Sequence, residues 1–453
     1  VKEFEHFLEA TAGWIWNYPL LILLVGGGIF FMVYSRFLPF RYFGHAINVI
    51  RGKYDDDSDP GQINHFQALS GALAATIGMG NISGVAIAIS VGGPGALFWM
   101  WVSAFFGIAT KFFTCTLAVL YRGKDTNGEI QGGPMYFILE GLGSGWKPLA
   151  IAFSVFGLLG ATPLFQANQI VESIGDILIA ESVVESGFRF YLELGLGFCL
   201  MIFTGAVIFG GIKRIGLVAS RLVPSMVLLY ILGISYILVK HAEHILPSFQ
   251  LIFSDAFTGN AVMGGALGAL IITGVRRAAF SNEAGIGTAP MMHGAAKTTQ
   301  PVREGLVAML GPAIDTILIC TLTGLSILVT GVWANTDLSG ISLTTEAFKT
   351  IPLIGPYVLA LCVLIFGFTT IFGLAYYGKK CFSFLVGAQK AHFFDYWYVG
   401  LVIFGSISTL TGVIAFVDIG YGLMAFPTMI SSILLAPKVM SVARKYFDSI
   451  EDR

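Results

Sequence analysis

Eleven apolar runs of bilayer-crossing length succeed one another along the chain, at about 17–39, 68–90, 95–121, 147–178, 190–210, 216–240, 261–290, 304–332, 353–377, 395–416 and 420–437. About 20 residues of helix span a hydrocarbon core. Hydrocarbon offers backbone groups no water to bond with, so a spanning segment must satisfy its own N–H and C=O groups. The expected fold class is therefore an all-α polytopic membrane protein of eleven transmembrane helices. Only 12% of the 453 residues are charged, with mean hydropathy +0.79, against about 25% charged in soluble domains. The net charge of −1 gives nucleic acid no hold, and the lipid bilayer is the one large partner implied; no obligate protein partner is evident. Five cysteines, Cys115, Cys199, Cys320, Cys362 and Cys381, show no metal-ligand spacing. The first run follows an acidic start without a small-residue cleavage site, so it reads as a retained helix rather than a signal peptide.

The connections set the orientation. With the N-terminus outside, nineteen Lys and Arg fall on the cytoplasmic side and only four (Lys2, Arg189, Lys240, Lys349) on the other. That bias predicts a multi-pass cell-membrane protein with a cytoplasmic C-terminus. Between the first two runs, residues 40–50 mix aromatic and basic side chains, as in an interfacial helix. The run Tyr54-Asp55-Asp56-Asp57-Ser58-Asp59-Pro60 reads as a solvated turn, its spacing fitting no calcium loop.

In the second run lies Ala74-Ala75-Thr76-Ile77-Gly78-Met79-Gly80-Asn81-Ile82-Ser83-Gly84. Two glycines around a methionine, then Asn and Ser, are poor material for an unbroken helix, each Gly costing about 1 kcal/mol relative to Ala. Such glycines either let two helices pack closely or mark a helix that unwinds at membrane depth. An unwound segment exposes carbonyls for a cation and N–H groups for an anion. Setting the first helix aside leaves ten, five before about residue 245 and five after. Each set begins with a Gly-interrupted segment, Gly78-Met79-Gly80-Asn81 and Gly285-Ile286-Gly287-Thr288, the latter run also holding Thr273-Gly274 near its midpoint. Five is odd, so the halves enter from opposite sides, as in an inverted repeat with broken first and sixth core helices. The expected units are 1–65, an N-terminal helix with an interfacial segment; 66–245, the first repeat; 246–440, the second; and 441–453, a tail.

The run Gly92-Gly93-Pro94-Gly95-Ala96-Leu97-Phe98-Trp99-Met100-Trp101 continuing to Gly107 resembles a signature of the alanine/glycine:cation symporter family, the sodium–alanine symporters. A second block, from Arg276 through Phe280-Ser281-Asn282-Glu283-Ala284-Gly285 to Ala289-Pro290, is similar to that family with Arg277-Ala278 where Arg-Gly is expected. The resemblance covers essentially the whole chain. It implies the amino acid–polyamine–organocation architecture with one extra helix in front, and sodium-driven symport of small neutral amino acids such as alanine and glycine. The signature itself reads as a tight turn followed by interfacial aromatics rather than as chemistry.

A free amino acid is a zwitterion, and dehydrating it requires replacement hydrogen bonds. The carboxylate should meet the N–H groups of Gly80 and Asn81, beside Gly78. The ammonium should meet carbonyls around Ala75 and Thr76 and those of the second break near Thr273 and Gly274. Gln169 is the preferred side-chain contact, with Phe165 one turn away as a wall, against the alternative that Gln169 only bonds a neighbouring helix. For sodium, the superfamily resemblance implies the paired hydroxyls Thr369 and Thr370 facing carbonyls of Ala74 and Ile77, joined by Phe366. Neutral oxygens suit a hard ion, although membrane threonines also bond their own helices. No carboxylate for a second sodium is evident. Glu172, Asp176, Asp315 and Glu283 are expected to pair with Lys111, Arg276 or Arg277. A proton-coupled carrier is the alternative within the class. An ion channel would need a filter or charge rings, and an enzyme a catalytic motif; the sequence holds neither, so it reads as no enzyme.

Overall fold

A computed structural model describes residues 2–257, 266–335 and 338–451. Helix α1 (Lys2–Ile15) is followed by α2 (Gly27–Tyr34) and the short α3 (Phe43–Ile50). The first core segment is α4 (His65–Thr76) and α5 (Val85–Gly92), joined through a π-helical turn at Gly80–Gly84. Next come α6 (Ala96–Leu120), a two-stranded ribbon of Gly123–Lys124 with Ile130–Gln131, and α7 (Pro134–Leu142). After these run α8 (Lys147–Gly160), α9 (Leu164–Ala180), α10 (Arg189–Ile208) and α11 (Gly211–Lys240). The second half holds α12 (Ile245–Phe257), α13 (Ala266–Asn282), α14 (Thr288–His293), α15 (Pro301–Ala308) and α16 (Thr321–Val329). It closes with α17 (Gly340–Phe348), α18 (Gly355–Val386), α19 (His392–Ser406) and α20 (Leu410–Glu451).

Among the described residues, seven helices are long and apolar enough to cross a bilayer, or up to nine if each of two bent pairs is one span. The run 395–416 is not one element: the helix stops at Ser406 and restarts at Leu410, and 420–437 lies inside the 42-residue α20. Ile407-Ser408-Thr409 is a polar interruption that a hydropathy window averages away. Residues 261–265 of the run 261–290 lie outside the described residues. Residues 40–50 are helical in two pieces, with Ala46 and Val49 buried. The Asp run is a turn in which Asp56 accepts from the Ser58 N–H (2.9 Å) and hydroxyl (2.6 Å).

The signature turn has a steric explanation. Gly93 adopts φ +78°, and the Gly95 N–H donates to Asp255 Oδ2 of α12 at 2.7 Å. A Cβ on Gly95 would lie 2.5 Å from the Ala256 backbone nitrogen. The small residues therefore let one turn press backbone to backbone on α12, while Phe98 and Trp101 meet Phe253 edge-on or tilted.

Candidate site at the helix breaks

A capping box starts α4: the Asn64 side chain accepts the Gln67 N–H (2.8 Å) and the Gln67 side chain accepts the Asn64 N–H (3.1 Å). The helix ends at Thr76. Ile77 is extended (ψ 92°), and the axes before and after the break differ by 53°. The loosened backbone is caught by Asn81, whose Oδ1 accepts the Gly78 N–H at 2.9 Å while its own N–H donates to the Gly78 carbonyl at 3.2 Å. The Asn81 Nδ2 donates to Asp315 Oδ1 at 2.7 Å, and the same carboxylate accepts the hydroxyls of Ser281 and Thr316, each at 2.7 Å. Asp315 is fully buried. It thus ties the first break to the end of α13, where the second begins.

The second break lies at Glu283–Gly287, with Glu283, Gly285 and Gly287 all at positive φ. This corrects the expectation of a break near Thr273 and Gly274, for α13 runs unbroken from Ala266 to Asn282. Gly274 is instead a packing point: a Cβ there would lie 2.6 Å from Trp99 Cβ and 2.7 Å from the Ala96 carbonyl oxygen on α6. Thr273 lines a cavity with Arg276 and Arg277, ten residues from the unwound segment. A single Gly inside a helix is a contact device as readily as a breaker, whereas the two closely spaced glycines of Glu-Ala-Gly-Ile-Gly both take positive φ, as does Glu283. The Glu283 carboxylate is buried here, accepting from Tyr421 OH at 2.8 Å and from the Thr288 hydroxyl.

Of the residues read for the cation, Thr370 lies against the first break: a Cβ on Gly78 would fall 2.2 Å from the Thr370 Oγ1. One turn on, Gly373 packs on Ala75, where a Cβ would come within 2.6 Å of the Ala75 Cβ. Ala74 and Ile77 are buried in the same closing turn. Both threonine hydroxyls donate to the Phe366 carbonyl, Thr369 at 3.0 Å and Thr370 at 2.9 Å. Thr369 also approaches Met226 Sδ of α11 at 3.6 Å. The structure therefore brings Thr370, Gly78 and Ala75 together and sets Thr369 towards α11.

Among the residues read for substrate, Gly80 faces α13, with a Cβ there 3.2 Å from Ser281 Cα and 3.3 Å from the Phe280 ring. Phe165 meets Phe280 edge-to-face at 5.2 Å. Gln169 accepts from Ser83 Oγ (2.6 Å) and donates to Asn168 Oδ1 (3.1 Å) and Glu172 Oε2 (2.5 Å). Gln169 is thus bonded to the first broken segment itself. The Thr76 hydroxyl donates to Ala72 O of its own helix at 3.2 Å. Phe280 belongs to the second block of family resemblance, but nothing in the sequence marks it as the neighbour of Gly80 and Phe165 that it is in the structure.

The expected ion pairs are corrected. Arg276 and Arg277 both donate to Asp418 of α20, Arg277 at 2.7 Å. Asp176 pairs with Arg189 at 3.1 Å, and Glu172 bonds Gln169. Asp315 and Glu283 accept hydroxyls at hydrogen-bond distance; buried Lys111 of α6 interacts electrostatically with both but makes no direct ion pair among the described residues. A further cluster is formed only in the fold: Glu304 of α15 accepts from His293, at the end of α14, at 2.5 Å, and from His65 at the start of α4. All three are buried. Nothing in linear spacing links residues so far apart.

Comparisons with known proteins give the family and the fold. The model of the sodium:alanine symporter family matches residues 1–453. The sodium/alanine symporter AgcS of Methanococcus maripaludis is 40% identical, over 98% of this chain and 97% of its own. The probable sodium/glutamine symporter GlnT of Bacillus subtilis is 35% identical, over 98% and 90%. A crystal structure of MhsT in complex with L-phenylalanine shares the fold with TM-score 0.58 at 14% identity, covering 85% of this chain and 99% of that one. With the family model matched from end to end and a relative 40% identical over 98% of the chain, the chain belongs to the sodium:alanine symporter family and is a membrane-embedded secondary transporter.

Proposed function

We propose that the protein couples the inward movement of sodium to that of small neutral amino acids, alanine and glycine foremost, by alternating access. The reading includes eleven spans, an extra N-terminal helix followed by two inverted five-helix repeats, and a C-terminus in the cytoplasm. The observation that carries it is the placement of the Thr370 hydroxyl against Gly78 at the point where α4 unwinds. A neutral hydroxyl beside the backbone of an unwound turn is the kind of oxygen ligand that suits a hard cation. On the other side of the same break, Gly80 looks onto Phe280 with Phe165 behind it. Two rings packed this closely on a glycine favour a small side chain over a large one, and Gln169, held by Ser83, can exchange its bonds for those of a zwitterion. The relatives named for sodium with alanine and for sodium with glutamine support both halves of the reading.

Each sodium entering with a neutral substrate gains about 2.3 kcal/mol per 100 mV of inside-negative potential, enough for about 40-fold accumulation. The test is uptake of labelled alanine into proteoliposomes under inward gradients of sodium, lithium or choline. Accumulation with sodium and none with choline is expected. Equal accumulation with choline and an inward proton gradient would replace this reading with proton coupling, and currents without substrate would replace it with a channel.

A further inference from the structure

The connection between the two halves of the chain carries a cluster that the transport reading leaves unused. Where α11 ends and α12 begins, His241, Glu243 and His244 occupy one turn, Ala242–His244 being a single 3-10 turn. One ligand atom from each of the three lies within 4.8 Å of the others. The imidazole rings of His241 and His244 are nearly parallel, 21° apart with centroids 6.3 Å apart, and His244 Nε2 stands 4.0 Å from Glu243 Oε1. These side chains are not consumed elsewhere: the Nε2 of His241 is buried and has no partner among the described residues. The adjacent cation, Lys240, is turned away to the Thr350 carbonyl at 2.7 Å, so no ammonium competes for the carboxylate. A cavity of about 330 Å³ opens beside the turn, lined by His241, His244, Ser248 and Thr330 among others.

From this arrangement we propose that His241, Glu243 and His244 form a binding site for a divalent transition-metal ion of the zinc type. Two imidazole nitrogens and one carboxylate oxygen make a three-ligand set, and the open side of the turn leaves the fourth position to water. Ligand atoms around a tetrahedral ion at about 2.1 Å stand closer together than 4.8 Å, and rotation of the half-exposed Glu243 and His244 side chains closes that gap. Soft-to-borderline nitrogen ligands select zinc, nickel or copper over magnesium and calcium, which demand more oxygens. The bound ion stiffens the one turn that joins the end of α11, in the first half of the chain, to the start of α12, in the second. It therefore acts as a brake on any motion that changes the angle between them. The brake, unlike the site, rests on the transport reading above.

Titration of the purified full chain in detergent with zinc chloride, followed by calorimetry, tests the site. One ion per chain is expected in the wild type, and His241→Ala and the double variant Glu243→Gln/His244→Ala are expected to bind at least about tenfold more weakly. The double variant alters only exposed side chains, so it remains informative if His241→Ala does not fold. Magnesium chloride should give no heat beyond dilution. Equal zinc binding by wild type and double variant would overturn the site, whatever the protein transports. Alanine uptake by proteoliposomes with zinc on both faces should slow in the wild type and not in the double variant. Equal slowing, or none in either, would overturn the brake.

Discussion

The contact between Gly78 and Thr370 allows the cation reading to be tested by adding one methyl group. In Gly78→Ala the new Cβ would sit 2.2 Å from Thr370 Oγ1 and 3.2 Å from its Cβ. The first distance is far inside van der Waals contact, so either the hydroxyl swings away or the unwound segment shifts. Overpacking of this kind costs about 1–3 kcal/mol. Swinging the hydroxyl aside also gives up its bond to the Phe366 carbonyl, about 1 kcal/mol. If the hydroxyl is a sodium ligand, a loss of about 1.4 kcal/mol or more from ion binding raises the half-saturating sodium concentration about tenfold. The internal control is Gly84→Ala in the same segment, where the nearest atom to a new Cβ is the Met79 carbonyl oxygen at 3.9 Å. That variant should be neutral or up to about 1 kcal/mol stabilising. Thr370→Ala removes the atom that clashes, leaving the Cβ at 3.2 Å. Added to Gly78→Ala, it should restore the melting temperature while leaving sodium dependence impaired, a non-additivity expected of residues in contact. The assays are thermal unfolding in detergent and sodium-dependent alanine uptake at saturating alanine. Wild-type sodium dependence in Gly78→Ala, or recovery of that dependence in the double variant, would refute the assignment of Thr370 to the ion.

Two further outcomes follow from contacts elsewhere. Gly95→Ala places a Cβ 2.5 Å from the Ala256 nitrogen; backbone cannot rotate away as a side chain can, so folded yield should collapse, while Gly13→Ala, with nothing within 4 Å, should express normally. Asp418→Asn leaves Arg276 and Arg277 sharing a neutral amide, and removing one partner of such a buried set costs about 3–5 kcal/mol; a melting temperature unchanged in detergent would show that the arginines have another counter-charge.

The sequence by itself determined that the chain lives in lipid, because helix-length apolar runs are a property of local composition and hydrocarbon forbids unpaired backbone. It also determined the first break, since Gly78, Met79, Gly80 and Asn81 weaken a helix wherever they occur, and α4 does end at Thr76. The second break was legible in Gly285 and Gly287 but not in Gly274, because a lone helical glycine looks the same whether it bends a helix or seats a neighbour. Tertiary structure decided that between them. It also decided the polar partners: Arg276 and Arg277 meet Asp418, Asp315 meets Asn81 and Ser281, and Glu304 meets two histidines, one of them 239 positions away. A side chain's partner depends on how helices distant in sequence rotate and stack against one another, and no periodicity within one helix records which face of another it will meet.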